Sequence, residues 1–266
     1  MRTLSRPRFG FSPCPNDTFA FHALVHGLVE APFAVEPVLL DIEELNARAR
    51  AGELELTKLS FGVLPAVRKR YRLLRSGAAL GHGVGPLVVA REPGALEAAA
   101  AGRIAVPGLD TTAFLLLRLA APALGDVVEL RYDRILAAVA RGDVDAGLII
   151  HESRFTYGEH GLVAVADLGE WWARETGLPV PLAGICARAD LGEETVAAAE
   201  AAVRASVEHA FAAPAASRAY VREHSQELSD EVCDAHIALY VNEFSVDLGD
   251  EGLAAIERLT ETAAAR

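Results

Sequence analysis

Phe11-Ser12-Pro13-Cys14-Pro15-Asn16-Asp17-Thr18-Phe19-Ala20-Phe21-His22 reads as the end of a strand, a stiff turn and the start of a helix. The residues before it, Arg8 to Phe11, have the apolar alternation of a short strand. Pro13 and Pro15 then remove ladder donors and fix the turn. Asn16 and Asp17 are expected to cap an apolar helix running from about Asp17 to Leu28, with its free N–H groups pointing back over the strand end. In open α/β sheets that crevice is where ligands sit.

The same design returns later in the chain. With Asp17 laid on Asp110, Phe9-Gly10-Phe11 falls on Gly102-Arg103-Ile104. Asp17-Thr18-Phe19-Ala20-Phe21 falls on Asp110-Thr111-Thr112-Ala113-Phe114 and, after a small gap, Gly52-Glu53-Leu54-Glu55 falls on Gly142-Asp143-Val144-Asp145. Each half reads strand, turn, capped helix, helix, Gly, strand, which predicts two similar α/β lobes facing one cleft. In the first half a helix is expected over Ile42–Ala51, closed by Gly52, with a strand over Leu54–Lys58 and Ser60 as the next helix cap. In the second, helices are expected over Asp110–Leu119 and Asp133–Ala140, with an apolar strand over Val144–Ile150 ending at His151. The Gly-rich segment 77–86 and the segment Pro179–Ala187 are expected to cross between the lobes. Residues 1–85 and 185–266 would then form lobe 1, with 86–184 inserted as lobe 2. Two crossings allow a hinge. The tail beyond Leu191 reads as helical scaffold.

The 266 residues are 52% hydrophobic, ample for a packed core, and carry a formal net charge of −12. No basic stripe of the kind a nucleic-acid binder shows is visible; the run Arg68-Lys69-Arg70-Tyr71-Arg72 reads as a solvated helix face. Cys14, Cys186 and Cys233 are too scattered for a disulfide framework or a metal pattern. Met1 to Arg8 lacks the apolar core of a secretory signal, and no segment has the length of a membrane span. A soluble, cytoplasmic protein without nucleic-acid or membrane partners is expected.

His151 stands at the carboxyl end of a predicted parallel strand. It is either a proton-transfer group, with an ordinary pKa suited to neutral solution, or a capping histidine. Thr111 and Thr112 open the second-lobe helix; they either hold a carboxylate through hydroxyl and N–H groups or simply cap, with Asp110. In Lys58-Leu59-Ser60, Ser60 could donate to a ligand oxygen and Lys58 could supply positive charge, although alternation could turn Lys58 away; the plain alternative is a strand end and a cap. No nucleophile elbow surrounds Ser60. Cys14 reads as packed and inert rather than activated. Glu152 and Arg154 either orient His151 or pair with each other. His22 and His26 lack a third metal ligand, and Trp171-Trp172 either roofs the cleft or packs in a core.

Several of these segments also carry a family resemblance. Ser12-Pro13-Cys14-Pro15-Asn16-Asp17-Thr18-Phe19, Lys58-Leu59-Ser60-Phe61-Gly62, Pro107-Gly108 with Thr111-Thr112-Ala113, and His151-Glu152-Ser153-Arg154-Phe155-Thr156-Tyr157 resemble the 1,4-dihydroxy-6-naphthoate synthase family. Trp171-Trp172, Thr176 to Leu182 and Leu239-Tyr240-Val241-Asn242 also fit, so the resemblance spans almost the whole chain. It departs at Val84, where the family pattern has cysteine, and at Ala183, where it has glycine. The resemblance implies a two-lobed periplasmic-binding-protein-like (type II) α/β fold. It implies a lyase of the futalosine route to menaquinone that converts cyclic dehypoxanthinylfutalosine to 1,4-dihydroxy-6-naphthoate and dihydroxyacetone, with no metal or organic cofactor. It places the proton acceptor on His151 and substrate contacts on Lys58, Leu59, Ser60, Thr111 and Thr112; Asn16, Asp17, Glu152 and Arg154 are candidate supporting residues on the reading of the residues themselves. The partner expected is a small-molecule carboxylate. The rival readings are a chorismate dehydratase of the same pathway and a non-catalytic solute-binding protein for a small carboxylate.

Overall fold

Strand β1 (Arg8–Phe11) is the centre from which the first half is built. In the computed structural model, which describes residues 6–225 and 229–264, β1 is followed by β2 (Glu36–Leu39), β3 (Leu56–Ser60), β4 (Tyr71–Leu73) and β5 (Ala79–Gly81). Then come β6 (Leu87–Ala90), β7 (Arg103–Val106), β8 (Asp126–Glu129), β9 (Ala146–Ile149), β10 (Val163–Asp167) and β11 (Val180–Arg188). Residues 1–5 of the charged opening lie outside the described residues. No helix among the described residues is long and apolar enough to cross a membrane.

Two sheets form, in the orders β2-β1-β3-β11-β4, with β5 also on β11, and β10-β6-β9-β7-β8. In the first, β1 runs parallel to β2 and β3, and β11 is antiparallel to β3. In the second, β7 runs parallel to β8 and β9, and β6 is antiparallel to β9. The order β2-β1-β3-β11 thus has its counterpart in β8-β7-β9-β6. The Asp17–Asp110 alignment corresponds to this: the Pro15–Val25 helix leaves β1 and the Thr112–Ala120 helix leaves β7. The helices Ile42–Ala51 and Tyr132–Arg141 end alike, on Gly52 at φ 76° and Gly142 at φ 80°. Only a residue without Cβ adopts that left-handed cap freely.

Some boundaries differ from expectation. The first helix starts at Pro15, which suits an N-terminal position because it has no N–H to satisfy. Asn16 and Asp17 therefore lie inside its first turn; the cap position is Cys14, with no side-chain cap bond. Ser60 is the last residue of β3, not a helix cap, and the next helix is Leu64–Val67. The basic run is an exposed turn entering β4, with Tyr71 buried, rather than a helix face. The chain leaves the first sheet after Gly81 and returns before Val180, which pairs with Gly81. The inserted segment drawn at 86–184 therefore ends inside β11, whose residues from Val180 onward belong to the first sheet.

Phe9, Phe11 and Phe21 meet with ring centroids 5.1–5.5 Å apart and fill one face of the first sheet. Each such burial stabilises by about 1.5–3 kcal/mol. The long Glu193–Ala212 helix lies against the first helix, where Ser206 donates to Ala20 O and accepts from Leu24 N. The Asp230–Tyr240 helix packs on the same first helix and reaches the gap between the sheets.

Candidate active site

The ends of β1, β3 and β9, the start of the Thr112–Ala120 helix and the two crossings close around one cavity. Its atom-free space, about 610 Å³, runs out into open solvent. Ile42, Ala79, Pro86, Ile150 and Leu182 make its walls largely apolar.

Lys58 and Ser60 are two apart on β3 and so share a face, which is the cavity face. Leu59 points the other way, into a core with Val63, Val67 and Cys186, so its side chain is not a ligand contact. Lys58 pairs with Asp17, and both side chains are buried. Asp17 also accepts from Ser12 N at 3.0 Å and from Asn16 Nδ2 at 2.9 Å. It is therefore consumed by protein donors and does not line the cavity, whereas Asn16 does. One of the three ammonium N–H groups of Lys58 is directed to Asp17. Ser60 is held by Asn46, whose Oδ1 accepts from Ser60 N at 3.0 Å and whose Nδ2 donates to Ser60 Oγ at 3.1 Å. The Ser60 O–H is left to donate into the cavity.

Thr111 and Thr112 both line the cavity, but their hydroxyl protons are used elsewhere. Thr111 Oγ1 donates to Gly108 O at 2.7 Å and accepts from Phe114 N at 3.1 Å, the N-cap bond. Thr112 Oγ1 donates to Leu182 O at 2.5 Å and accepts from Gly62 N at 3.0 Å, tying the second-lobe helix to the first sheet. What this helix start offers a ligand is the N–H groups of Thr112 and Ala113, which have no intrahelical acceptor. Asp110 does not cap; it forms an ion pair with Arg50 at 2.5 Å.

His151 follows β9 in a turn, with its backbone in the left-handed region at φ 57°. Its ring lies edge-on to Tyr132, centroids 4.9 Å apart, and nearly parallel to His236 at 6.4 Å. Solvent reaches part of the residue, yet Nε2 is buried with no hydrogen-bond partner. Burial, with Lys58 nearby, lowers the imidazole pKa from its ordinary value to about 3. The expectation of an imidazole titrating near neutrality is thus corrected: the ring is neutral there and offers a lone pair. Arg154 does not orient it. Its guanidinium donates to Gly85 O at 2.8 Å and pairs with Asp167 at 2.6 Å, away from Glu152. Glu152 is buried beside Cys14 and His151, and one ligand-type atom from each of the three lies within 4.8 Å of the others. Burial and Glu152 hold the Cys14 thiol well above its ordinary pKa, as a neutral, packed group. Trp172 is a core residue whose indole donates to Pro179 O at 3.0 Å.

The tail, read as scaffold, contributes two lining residues that the sequence reading missed, His236 and Tyr240. They are four apart on one helix, hence on one face. Tyr240 lies within the Leu239-to-Asn242 motif, though that motif gave it no site role; for His236 the neighbouring motif was the only signal.

Two α/β lobes with a cleft between them define a class, the periplasmic-binding-protein-like fold. A Candida albicans protein described as having that generic fold matches with a TM-score of 0.70 at 12% identity, covering 98% of this chain and 90% of its own. The ligand-binding component of an ABC-type importer from Staphylococcus aureus matches with a TM-score of 0.72 at 13% identity, covering 98% and 93%. An Archaeoglobus fulgidus protein is far more similar, with a TM-score of 0.94 at 37% identity over 100% of this chain and 98% of its own. The chain belongs to the menaquinone biosynthesis family, whose model matches residues 7–265. It is 59% identical over 259 residues to a Thermus thermophilus protein named 1,4-dihydroxy-6-naphthoate synthase, covering 97% of this chain and 94% of the relative. A Streptomyces coelicolor protein of the same name is 48% identical over 264 residues, covering 97% and 93%.

Proposed function

We propose that the chain is a lyase of menaquinone biosynthesis that converts cyclic dehypoxanthinylfutalosine to 1,4-dihydroxy-6-naphthoate and dihydroxyacetone. The observation that carries this reading is the buried, unpartnered Nε2 of His151, in a cavity shared with Ser60 and the free end of the Thr112–Ala120 helix. A neutral imidazole so placed is a base. The substrate carboxylate takes hydrogen bonds from the Ser60 hydroxyl, the Thr112 and Ala113 N–H groups and the Lys58 ammonium. Its negative charge opposes that of Lys58 and raises the basicity of His151. His151 then removes a proton from the sugar-derived part of the substrate. The bond to that part breaks, and aromatisation of the new ring supplies the driving force. The apolar walls exclude water from the ring system. Residues from 86 to the turn before Val180 form the lobe that closes over it. We place the enzyme in the cytoplasm, a reducing compartment that suits the buried thiols of Cys14 and Cys186.

Incubation of the purified protein with the cyclic substrate, and separately with chorismate, tests the reading. Formation of the naphthoate and dihydroxyacetone from the first alone supports it. Dehydration of chorismate would assign the protein to the sister reaction, and saturable binding without turnover would make it a receptor.

A further inference from the structure

The tail helix carries a second imidazole into the cavity, and none of the steps above uses it. His236 is 1% exposed. Its Nε2 lies 3.0 Å from Asn16 Oδ1, and its Nδ1 is buried with no hydrogen-bond partner among the described residues. Neighbouring groups fix the tautomer. The Asp17 carboxylate only accepts, and it takes bonds from Ser12 N, Asn16 Nδ2 and Lys58. Asn16 must therefore turn its NH2 toward Asp17 and its carbonyl oxygen toward His236. An amide oxygen accepts, so His236 donates through Nε2–H. Burial, with His151 and Lys58 nearby, keeps the ring neutral. A neutral imidazole has one N–H, so Nδ1 is a bare lone pair.

A buried acceptor left without a donor is unfavourable on its own. A carboxylate or carbonyl oxygen brings only further lone pairs to it; a ligand O–H satisfies it. We propose that His236 Nδ1 accepts a hydrogen bond from a hydroxyl of the substrate's sugar-derived part, which makes His236 a substrate-contacting residue and rests on the lyase reading. The rings of His236 and His151 lie 6.4 Å apart and 20° from parallel. A hydroxyl held by one is therefore next to the C–H reached by the other. The lining divides accordingly: Ser60, Lys58 and the helix N–H groups are donors suited to an acid, and the two imidazoles are acceptors suited to hydroxyls.

Two variants separate the nitrogens. His236→Gln keeps an amide N–H near the position of Nε2 and has no acceptor near Nδ1; His236→Asn places an amide oxygen near Nδ1. Steady-state kinetics with the cyclic substrate are compared with the Kd for 1,4-dihydroxy-6-naphthoate, a product that lacks the sugar-derived part. His236→Gln is expected to lower kcat/KM about 10- to 100-fold. His236→Asn is expected to lose less, and product affinity to change by less than about twofold in both. Equal losses in the two variants, an unchanged kcat/KM in His236→Gln, or a parallel loss of product affinity overturns the proposal. A wild-type chain that does not turn over the cyclic substrate overturns the lyase reading itself. Should the variants not fold, histidine-labelled ¹⁵N spectra of the His151→Ala protein decide. The His236 Nδ1 resonance should move upfield on addition of the cyclic substrate, and an unmoved resonance overturns the proposal.

Discussion

At position 151 one imidazole is held neutral by burial and kept unbonded at Nε2. As the proposed general base it would contribute about 10²–10⁴ in rate, whereas one hydrogen bond to a carboxylate contributes about 1.5–3 kcal/mol, mostly to binding. His151→Ala is therefore expected to lower kcat by that factor, and Ser60→Ala chiefly to raise KM, by about 10- to 100-fold, read from steady-state kinetics. Comparable losses of kcat in both would remove His151 as the base. Burial also links stability to acid. The ring titrates near 6.5 in the unfolded chain and near 3 in the fold. Between these values the unfolded state binds more protons, so stability is fully present above pH 6.5 and is lost as pH falls toward 3. His236 shifts in the same direction, and Lys58, Tyr132, Cys14 and Glu152 surround the pair. The limit is about 1.4 kcal/mol per pH unit for each ring, reduced for His151 by its contact with solvent. Unfolding free energies from urea titrations at pH 7.5 and 5.5 should differ by roughly 1 kcal/mol or more, and a flat profile would mean that the rings take up protons as readily in the folded protein as in the unfolded chain.

Among the elements, those governed by local chemistry were legible. The Ile42–Ala51 helix could be read to the residue, because Gly52 closes it; Asp41 caps it, accepting from Glu43 N. The doubled strand–helix order could be read because both halves repeat the same apolar and turn residues. The opening turn was misread in detail because the Asp17 carboxylate is claimed by Lys58, 41 residues away, and no local rule shows that partner. His236 was missed because helical spacing of apolar residues does not say which polar side chain meets a cavity built by other elements. The Thr112 hydroxyl was misassigned for the same reason: its acceptor, Leu182 O, lies 70 residues on. Thr112→Val keeps the shape but leaves the Gly62 N–H without its acceptor, while Leu182 O keeps the bond from Phe61 N at 3.1 Å. It is expected to cost about 1–3 kcal/mol in urea denaturation, with Thr112→Ser retaining most of the wild-type value.

For the whole molecule, the lobes are joined beyond their two crossings. Glu43 Oε1 accepts from Asp110 N at 2.9 Å, and Arg50 pairs with Asp110. A Cβ at Gly62 would come within 2.9 Å of Thr111 O, so the two surfaces touch there at backbone distance. The Arg50 pair is largely exposed and contributes at most about 1 kcal/mol, and the Glu43 bond about as much. The double variant Glu43→Ala/Arg50→Ala should shift closed toward open by roughly tenfold, seen as a larger radius of gyration in solution scattering. An unchanged radius would mean that packing alone holds the lobes together. The left-handed backbone at His151 bears on the protein's history under selection. Glycine occupies that conformation without a steric cost, and asparagine tolerates it better than most residues. Breeding this chain for heat tolerance alone would therefore favour replacing the residue proposed above as the base, so robustness and the proposed chemistry pull against each other at this one position.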